Sequence, residues 1–211
     1  ELSGLKEEEY MTNKEEIIPQ PTQLLKETLI AIPDETIGIA FSGGLDSSLL
    51  AILAQQTGKK FKPYTVGLPN AEDVDYAGRI ALQMHWPIKI KILTPDEATT
   101  TIQEVTTILS NTHQDVSPTH VGIGAVVYSV LQMAKQDGIK TVIGGLSAEE
   151  LFAGYKRHTD YGKEYSPTFI QQALWQGLKD METRDLARNL PIAQAVGINL
   201  VAPFLNESLT H

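Results

Sequence analysis

The residues best suited to chemistry lie in one stretch, Ser42-Gly43-Gly44-Leu45-Asp46-Ser47-Ser48. Its glycines and hydroxyls stand between an apolar run, Ile37 to Phe41, and a second apolar run, Leu49 to Leu53. The first run reads as a short buried strand and the second as the start of a helix. A glycine-rich turn at a helix N-terminus is a nest of unpaired backbone N–H groups. The helix dipole turns its positive end to the same place, so the stretch suits an anion. Asp46 falls inside that nest, where its carboxylate repels phosphate unless a divalent cation lies between them. The pattern therefore points to a metal–phosphate complex. The plainer reading is a strand-to-helix turn in which glycine permits the bend and serine caps the helix. A Walker A loop is excluded, because Leu45-Asp46 stands where that loop carries lysine.

The elements that must position this stretch follow from periodicity and punctuation. Residues 1–21 read as a peripheral arm, charged and ending in Pro19-Gln20-Pro21, with a helix over Glu7 to Ile18. The main domain is expected over 22–211. Thr22 is placed to cap a helix to about Ile30, and Pro33-Asp34 breaks it. Strands are expected at Thr36–Phe41, Phe61–Leu68, Pro87–Leu93, Lys140–Ile143 and Asn199–Ala202. Helices are expected at Asp46–Thr57, Glu72–His85, from Pro95, at Thr119–Gln136 and at Ala148–Phe152. A polar link, Lys156 to Pro167, precedes two more, near Thr168–Leu178 and Met181–Val196. Strands alternating with helices predict an α/β fold, a doubly wound parallel sheet of about five strands with helices on both faces. Ligands of such sheets sit beyond the carboxyl ends of the strands. The Ser42 stretch, Val66-Gly67 and Gly144-Gly145 all fall at such ends.

Composition narrows the class. The 211 residues are 42% apolar and 20% charged, ordinary globular usage, and enough for one domain with a real core. The net charge of −9 argues against a broad nucleic-acid footprint. The absence of cysteine excludes disulfides, cysteine-based zinc sites and a cysteine nucleophile. With no 18-residue apolar run and no signal peptide, the expectation is a soluble cytoplasmic protein without a membrane partner. Five histidines are present, none at a metal-binding spacing. His120 is singled out because it starts a long helix near the strand ends. Lys156-Arg157-His158 reads either as a solvated helix end or as a loop that closes over phosphates.

The Ser42–Ser47 segment resembles the pyrophosphatase loop, Ser-Gly-Gly-x-Asp-Ser, of enzymes that split ATP into AMP and pyrophosphate while adenylating a substrate. More of the chain is similar to the synthetase domain of asparagine synthetases. Val66-Gly67-Leu68-Pro69 with Asp73 resembles that family's second strand and the acidic turn after it. Gly144 to Tyr155 resembles its Ser-Gly-Glu-Gly-Ala/Ser-Asp-Glu-x-Phe-Gly-Gly-Tyr segment. Asp185-Leu186-Ala187-Arg188, with Pro203-Phe204-Leu205-Asn206 after it, resembles its Asp-x-x-Arg helix and Val-Pro-Phe-Leu-Asp element. The resemblance implies that Ser42, Gly43, Gly44, Asp46 and Ser47 hold the pyrophosphate portion of ATP with Mg²⁺. It implies that Ala40, Val66, Gly144 and Gly145 surround the adenosine, that Asp46, Asp73 and Glu149 serve magnesium, and that Asp185 and Arg188 are catalytic. The implied reaction adenylates an aspartate-like carboxylate and forms an amide with ammonia. An ATP-binding protein or subunit without asparagine-forming activity is the alternative.

Departures from the family pattern concentrate on the amide half of that chemistry. Leu146 stands where the family carries a glutamate to which proton transfer is ascribed, and leucine cannot act as a base. Glu149 replaces a shorter aspartate, His120 an arginine, and Asn206 an aspartate. No glutaminase domain with an N-terminal cysteine accompanies the segment, so ammonia is expected free or from a separate glutaminase subunit. A homodimer is the remaining partner expectation.

Overall fold

The computed structural model describes residues 19–154, 166–206 and 209. Most of the expected N-terminal arm, the Lys156-Arg157-His158 cluster and His211 lie outside the described residues. Five short apolar runs form the sheet: β1 (Thr36–Ala40), β2 (Lys60–Gly67), β3 (Lys89–Ile92), β4 (Thr141–Ile143) and β5 (Asn199–Val201). They pair in the order β3-β2-β1-β4-β5, every pair parallel. Pro63 is tolerated inside β2 because pairing with β3 begins only at Tyr64, so the missing N–H faces no partner strand there.

Helices cover both faces. α1 (Pro19–Ala31), α2 (Leu45–Gln56) and α3 (Glu72–Gln83) lie on one. There Leu25, Leu29, Leu50 and Leu53 pack with Ile37, Ile39 and Phe41 of the central strand and its exit. The other face carries α4 (Pro95–Asn111), α5 (Pro118–Gln136) and α8 (Ala187–Val196). Their Val105, Leu109, Val130, Leu131 and Ile192 pack with Tyr64, Val66 and Val142. The alternation is visible within β4, where Val142 faces one core and Ile143 the other. From β1 the chain winds outward through β2 to β3, then returns across the opposite face to β4 on the other side of β1. The winding direction therefore reverses between β1 and β4, the place where open α/β sheets bind ligands.

The main departures from expectation are the start of α1 and the junction of α7 with α8. α1 starts at Pro19 instead of Thr22, because first-turn N–H groups have no helical partner and proline there loses nothing. The short helix α6 (Ala148–Phe152) follows β4 as expected, whereas α7 (Pro167–Met181) runs directly into a π-helical turn, Glu182–Leu186, and on into α8. The two separate helices expected here are thus joined through a wide turn. Pro191 lies inside α8, where it has no N–H to donate to the preceding turn.

Beneath the Ser42 stretch, Trp86 is buried edge-on against Phe41 and Phe61, with ring centroids 5.7 Å away in both cases. Its indole N–H donates to Gln55 Oε1 at the end of α2, 3.0 Å away. At the opposite end of the sheet, Asp137 accepts from Lys62, Lys89 and the Tyr64 hydroxyl, tying β2 and β3 to the end of α5. Hydrogen bonds from Lys62 and Lys89 hold the Asp137 carboxyl well below the usual carboxylate range. Burial, reinforced by Asp137, pushes the Tyr64 hydroxyl up.

Candidate active site

The Ser42 stretch connects β1 to α2 with a single strained residue. Gly43 adopts φ +75°, and a Cβ there would lie 2.9 Å from Ala77 Cα of α3. Only glycine satisfies both the left-handed backbone and the close approach. The three hydroxyls brace the turn from within. Ser42 Oγ accepts from the Gly44 N–H at 3.2 Å and lies 3.3 Å from Ser47 Oγ. Ser47 Oγ donates to the Gly44 carbonyl and Ser48 Oγ to the Gly43 carbonyl, both at 3.2 Å. Gly44 is the N-cap of α2, and no side chain caps that helix. The serine-cap reading is thereby corrected. The hydroxyls hold the loop shape, and the first-turn N–H groups of α2 have no side-chain acceptor.

The exit of β4 closes the other side. A Cβ on Gly145 would fall 2.9 Å from Asp46 Cβ, so the two loops touch. Ala40 and Gly144 are also neighbours: the Gly144 Cβ position lies 3.9 Å from Ala40 Cβ. Val66 is buried on β2, on the far side of β1 from β4. The four residues expected around adenosine thus straddle the strand ends at and beside the switch point. Ser147, next in line, is buried at φ +75° although it carries a side chain. The family pattern has glycine at that position.

The carboxylates of Asp46 and Glu149 lie near enough here to feel each other's charge. Burial raises the Asp46 carboxyl. Burial chiefly raises that of Glu149, and the negative charges of Asp46, Glu150 and Asp185 add to it. Asp46 and Glu149 are therefore held ionised only at a cost that a cation would relieve. Oxygen donors of this kind suit magnesium, which keeps several waters and uses few protein ligands. The expected trio of Asp46, Asp73 and Glu149 is not assembled, however. Among the described residues no group of three acidic or histidine side chains is placed to hold a metal ion. Asp73 lies exposed in the first turn of α3, one turn before the Ala77 that Gly43 rests on. Asp46 and Glu149 are the two carboxylates that the described residues offer a cation here.

Asp185 and Arg188 are brought together as their spacing suggested, but they meet each other. Arg188 Nη2 donates to Asp185 Oδ1 at 2.8 Å and its Nε to Asn189 Oδ1 at 2.9 Å. Arg184 Nε donates to the other Asp185 oxygen at 2.6 Å and its Nη2 to the buried Glu150 at 3.2 Å. Arg188 is 3% exposed. Sequence reasoning missed Arg184, Glu150 and Asn189 as members of this network. Arg184 was signalled only by its place beside Asp185. His120 Nδ1 is buried without a hydrogen bond and lies 3.5 Å from Asp115 Oδ2.

A cavity of about 350 Å³ opens beside the switch point, on the β5 side. Ala40, Gly144 and Leu146 border it toward the Ser42 loop; α5, α8 and β5 supply the remaining walls. A larger hollow, about 440 Å³, lies between α4 and α5 and contains none of the expected site residues.

A family model described as Asparagine synthase matches residues 24–171, well over half of the chain. The chain belongs to the asparagine synthase family. That match includes the Ser42 loop, Asp73, Gly144, Gly145 and Glu149, while Asp185 and Arg188 lie beyond it. A putative glutamine-hydrolyzing asparagine synthetase of Methanocaldococcus jannaschii is 31% identical over 100% of this chain and 38% of its own length. A probable glutamine-hydrolyzing asparagine synthetase of Schizosaccharomyces pombe is 27% identical over 90% of this chain and 37% of its own. The chain thus spans less than two fifths of these asparagine synthetases. Among solved structures, an NMN synthetase of Francisella tularensis has a TM-score of 0.47 at 19% identity, covering 69% of this chain and 59% of that one.

Proposed function

We propose that the chain binds ATP across the β1–β4 switch point and uses it to adenylate a small-molecule carboxylate. The observation that carries this reading is the uncapped first turn of α2 with Asp46 set inside it, facing Glu149. Ser42, Gly43, Gly44, Asp46 and Ser47 would bind the pyrophosphate portion. Ala40, Val66, Gly144 and Gly145 would surround adenosine, where backbone groups read the purine edge. Asp46 and Glu149 would hold magnesium, which supplies charge neutralisation on the phosphates when bound, with Asp73 as an outer carboxylate. A carboxylate oxygen forms a bond to the α-phosphorus as the bond to the pyrophosphate oxygen breaks. Ammonia then adds to the acyl carbon, AMP leaves with the electron pair of the C–O bond, and the nitrogen loses a proton.

Alignment of the reactants and fixed positive charge contribute most to such a reaction. Arg188 is too enclosed to reach far, so it acts by holding Asp185 at the site. The nitrogen donor in this reading is ammonia, and the setting is the cytoplasm. No helix among the described residues is long and apolar enough to cross a membrane. Calorimetry with MgATP, followed by pyrophosphate release with carboxylates and ammonia, tests the reading. Binding of MgATP with release that requires a carboxylate supports it. Absence of MgATP binding refutes it.

A second reading is favoured by one observation. Leu146 lines the cavity where a proton-transferring group would stand, and nothing titratable among the described residues replaces it there. Under that reading the chain is an ATP-binding subunit of a multi-chain amidotransferase, or of a homodimer, without amide formation of its own. MgATP binding with no pyrophosphate release for any carboxylate would select it.

A further inference from the structure

We propose that the cavity on the β5 side of the switch point is the acceptor site, and that its acceptor is an apolar carboxylic acid rather than aspartate. This rests on the ATP reading above and names the substrate of that same site.

The walls of the cavity come from β1, β4, β5, α5 and α8 and the loops beyond them, and among the described residues no charged side chain lines them. Leu146, Leu186, Leu190, Leu200 and Leu205 are among the residues that line it. Asn189 is the one polar side chain among the described lining residues, and its Oδ1 already accepts from Arg188. The nearest charges are matched to one another, because Asp185 sits between Arg184 and Arg188 at 2.6 and 2.8 Å. Aspartate would bring an ammonium and a second carboxylate in addition to the reacting one. Burying either without a partner is costly, and a lone amide does not offset both. An alkyl or aryl chain loses nothing by entering and gains by leaving water.

Position argues the same way. In the order β2-β1-β4-β5, Val66 stands on one side of β1 and the cavity on the other. Ala40 and Gly144 form the border between them. Adenosine on the Val66 side leaves the β5 side for the acceptor. The acceptor carboxylate then points past Leu146 toward the Ser42 loop, and its chain fills the cavity. The volume, about 350 Å³, is at the small end of the range for ligand sites, which fits a single medium-sized acid.

The test uses the 211-residue chain with MgATP and straight-chain alkanoates from acetate to octanoate, with aspartate beside them. Pyrophosphate release is measured for each acid. Calorimetric titrations of the same acids are run with and without AMP. The expected result is affinity that rises about fourfold per added methylene until the cavity is full, no release with aspartate, and no displacement of the acid by AMP. Leu190 is 49% exposed, so a polar residue there is compatible with folding. Leu190→Asp is expected to weaken the longest acids at least tenfold while MgATP still binds. Aspartate outperforming the alkanoates would overturn the proposal, and so would affinity independent of chain length. Competition between alkanoate and AMP would also overturn it, by making the cavity a nucleotide pocket. Failure of MgATP to bind refutes the ATP reading alone, since titration of the acids without nucleotide still decides what the cavity holds.

Discussion

Two adjacent glycines of the Ser42 loop should respond very differently to the same added methyl group. Gly43 has φ +75°, and its missing Cβ points at the backbone of α3, 2.9 Å from Ala77 Cα and 3.2 Å from Ala77 N. The left-handed conformation costs an ordinary residue about 1–2 kcal/mol. Overpacking against backbone that cannot rotate away adds about 1–3 kcal/mol. Gly43→Ala is thus expected to cost about 2–5 kcal/mol. Gly44 has φ −65°, open to any residue, and its Cβ would meet only Ser42 Oγ at 3.2 Å. Gly44→Ala should cost a few tenths to about 1 kcal/mol, the difference between glycine and alanine at an N-cap. A gap of about 2 kcal/mol corresponds to a difference in Tm of about 4–8 °C for a chain of this size. Thermal and urea denaturation of both variants reads it, and MgATP titration shows whether the nest survives in Gly44→Ala. Equal losses at the two positions, or a larger loss at Gly44, would refute the account of the loop.

Ser147 offers a converse case: Ser147→Gly should stay within about 1 kcal/mol of the parent, because relief at φ +75° offsets the lost hydroxyl, while Ser147→Val should cost about 2 kcal/mol or more in urea melts. The pH dependence of stability should show two opposed components. Burial raises Asp46 and Glu149 in the folded state, so the fold binds those protons more tightly than the unfolded chain. Their contribution is present at low pH and lost as pH rises through the raised values. Asp137 is held low, so its contribution is present at neutral pH and lost as pH falls through and below the ordinary carboxylate range. Melts of Asp46→Asn and Asp137→Asn across acidic to neutral pH should remove the first and the second component respectively. Arg188→Ala should destabilise by about 2–4 kcal/mol, somewhat less than for a carboxylate left wholly alone, because Asp185 keeps Arg184. Arg188→Lys keeps the charge but loses the fork, so a urea melt should show a loss smaller than for alanine but still measurable.

The β1–loop–α2 unit was legible because its signals are local. A β-period apolar run, a glycine pair and a helix-period run occupy consecutive residues, and each needs only its neighbours. The five strands were found for the same reason, with ends off by a residue or two. The start of α1 was missed because prolines were taken as the end of an arm, although a helix tolerates them in its first turn. The π turn at Glu182–Leu186 carries no period of its own. It follows from how α7 and α8 must both lie against neighbours that sequence alone does not place. The spacing of Asp185 and Arg188 did predict proximity. It could not tell whether the pair would face a ligand or each other, since that depends on Arg184, Asn189 and the packing of α8 on α5 at Gly124. The cavity is assembled from residues more than a hundred positions apart, so no window of sequence contains it.

The placement of Trp86 gives the protein an optical reporter of its own. The indole is clamped between Phe41, whose next residue is Ser42, and Phe61, and it is tethered to the far end of α2 through Gln55. The chain has only one other tryptophan, Trp175, which lies on α7 beside Lys179. A single change, Trp175→Phe, would leave emission from one fluorophore packed on the residue that precedes the Ser42 loop. Its emission would report changes at Phe41 and at the end of α2 that Gln55 marks.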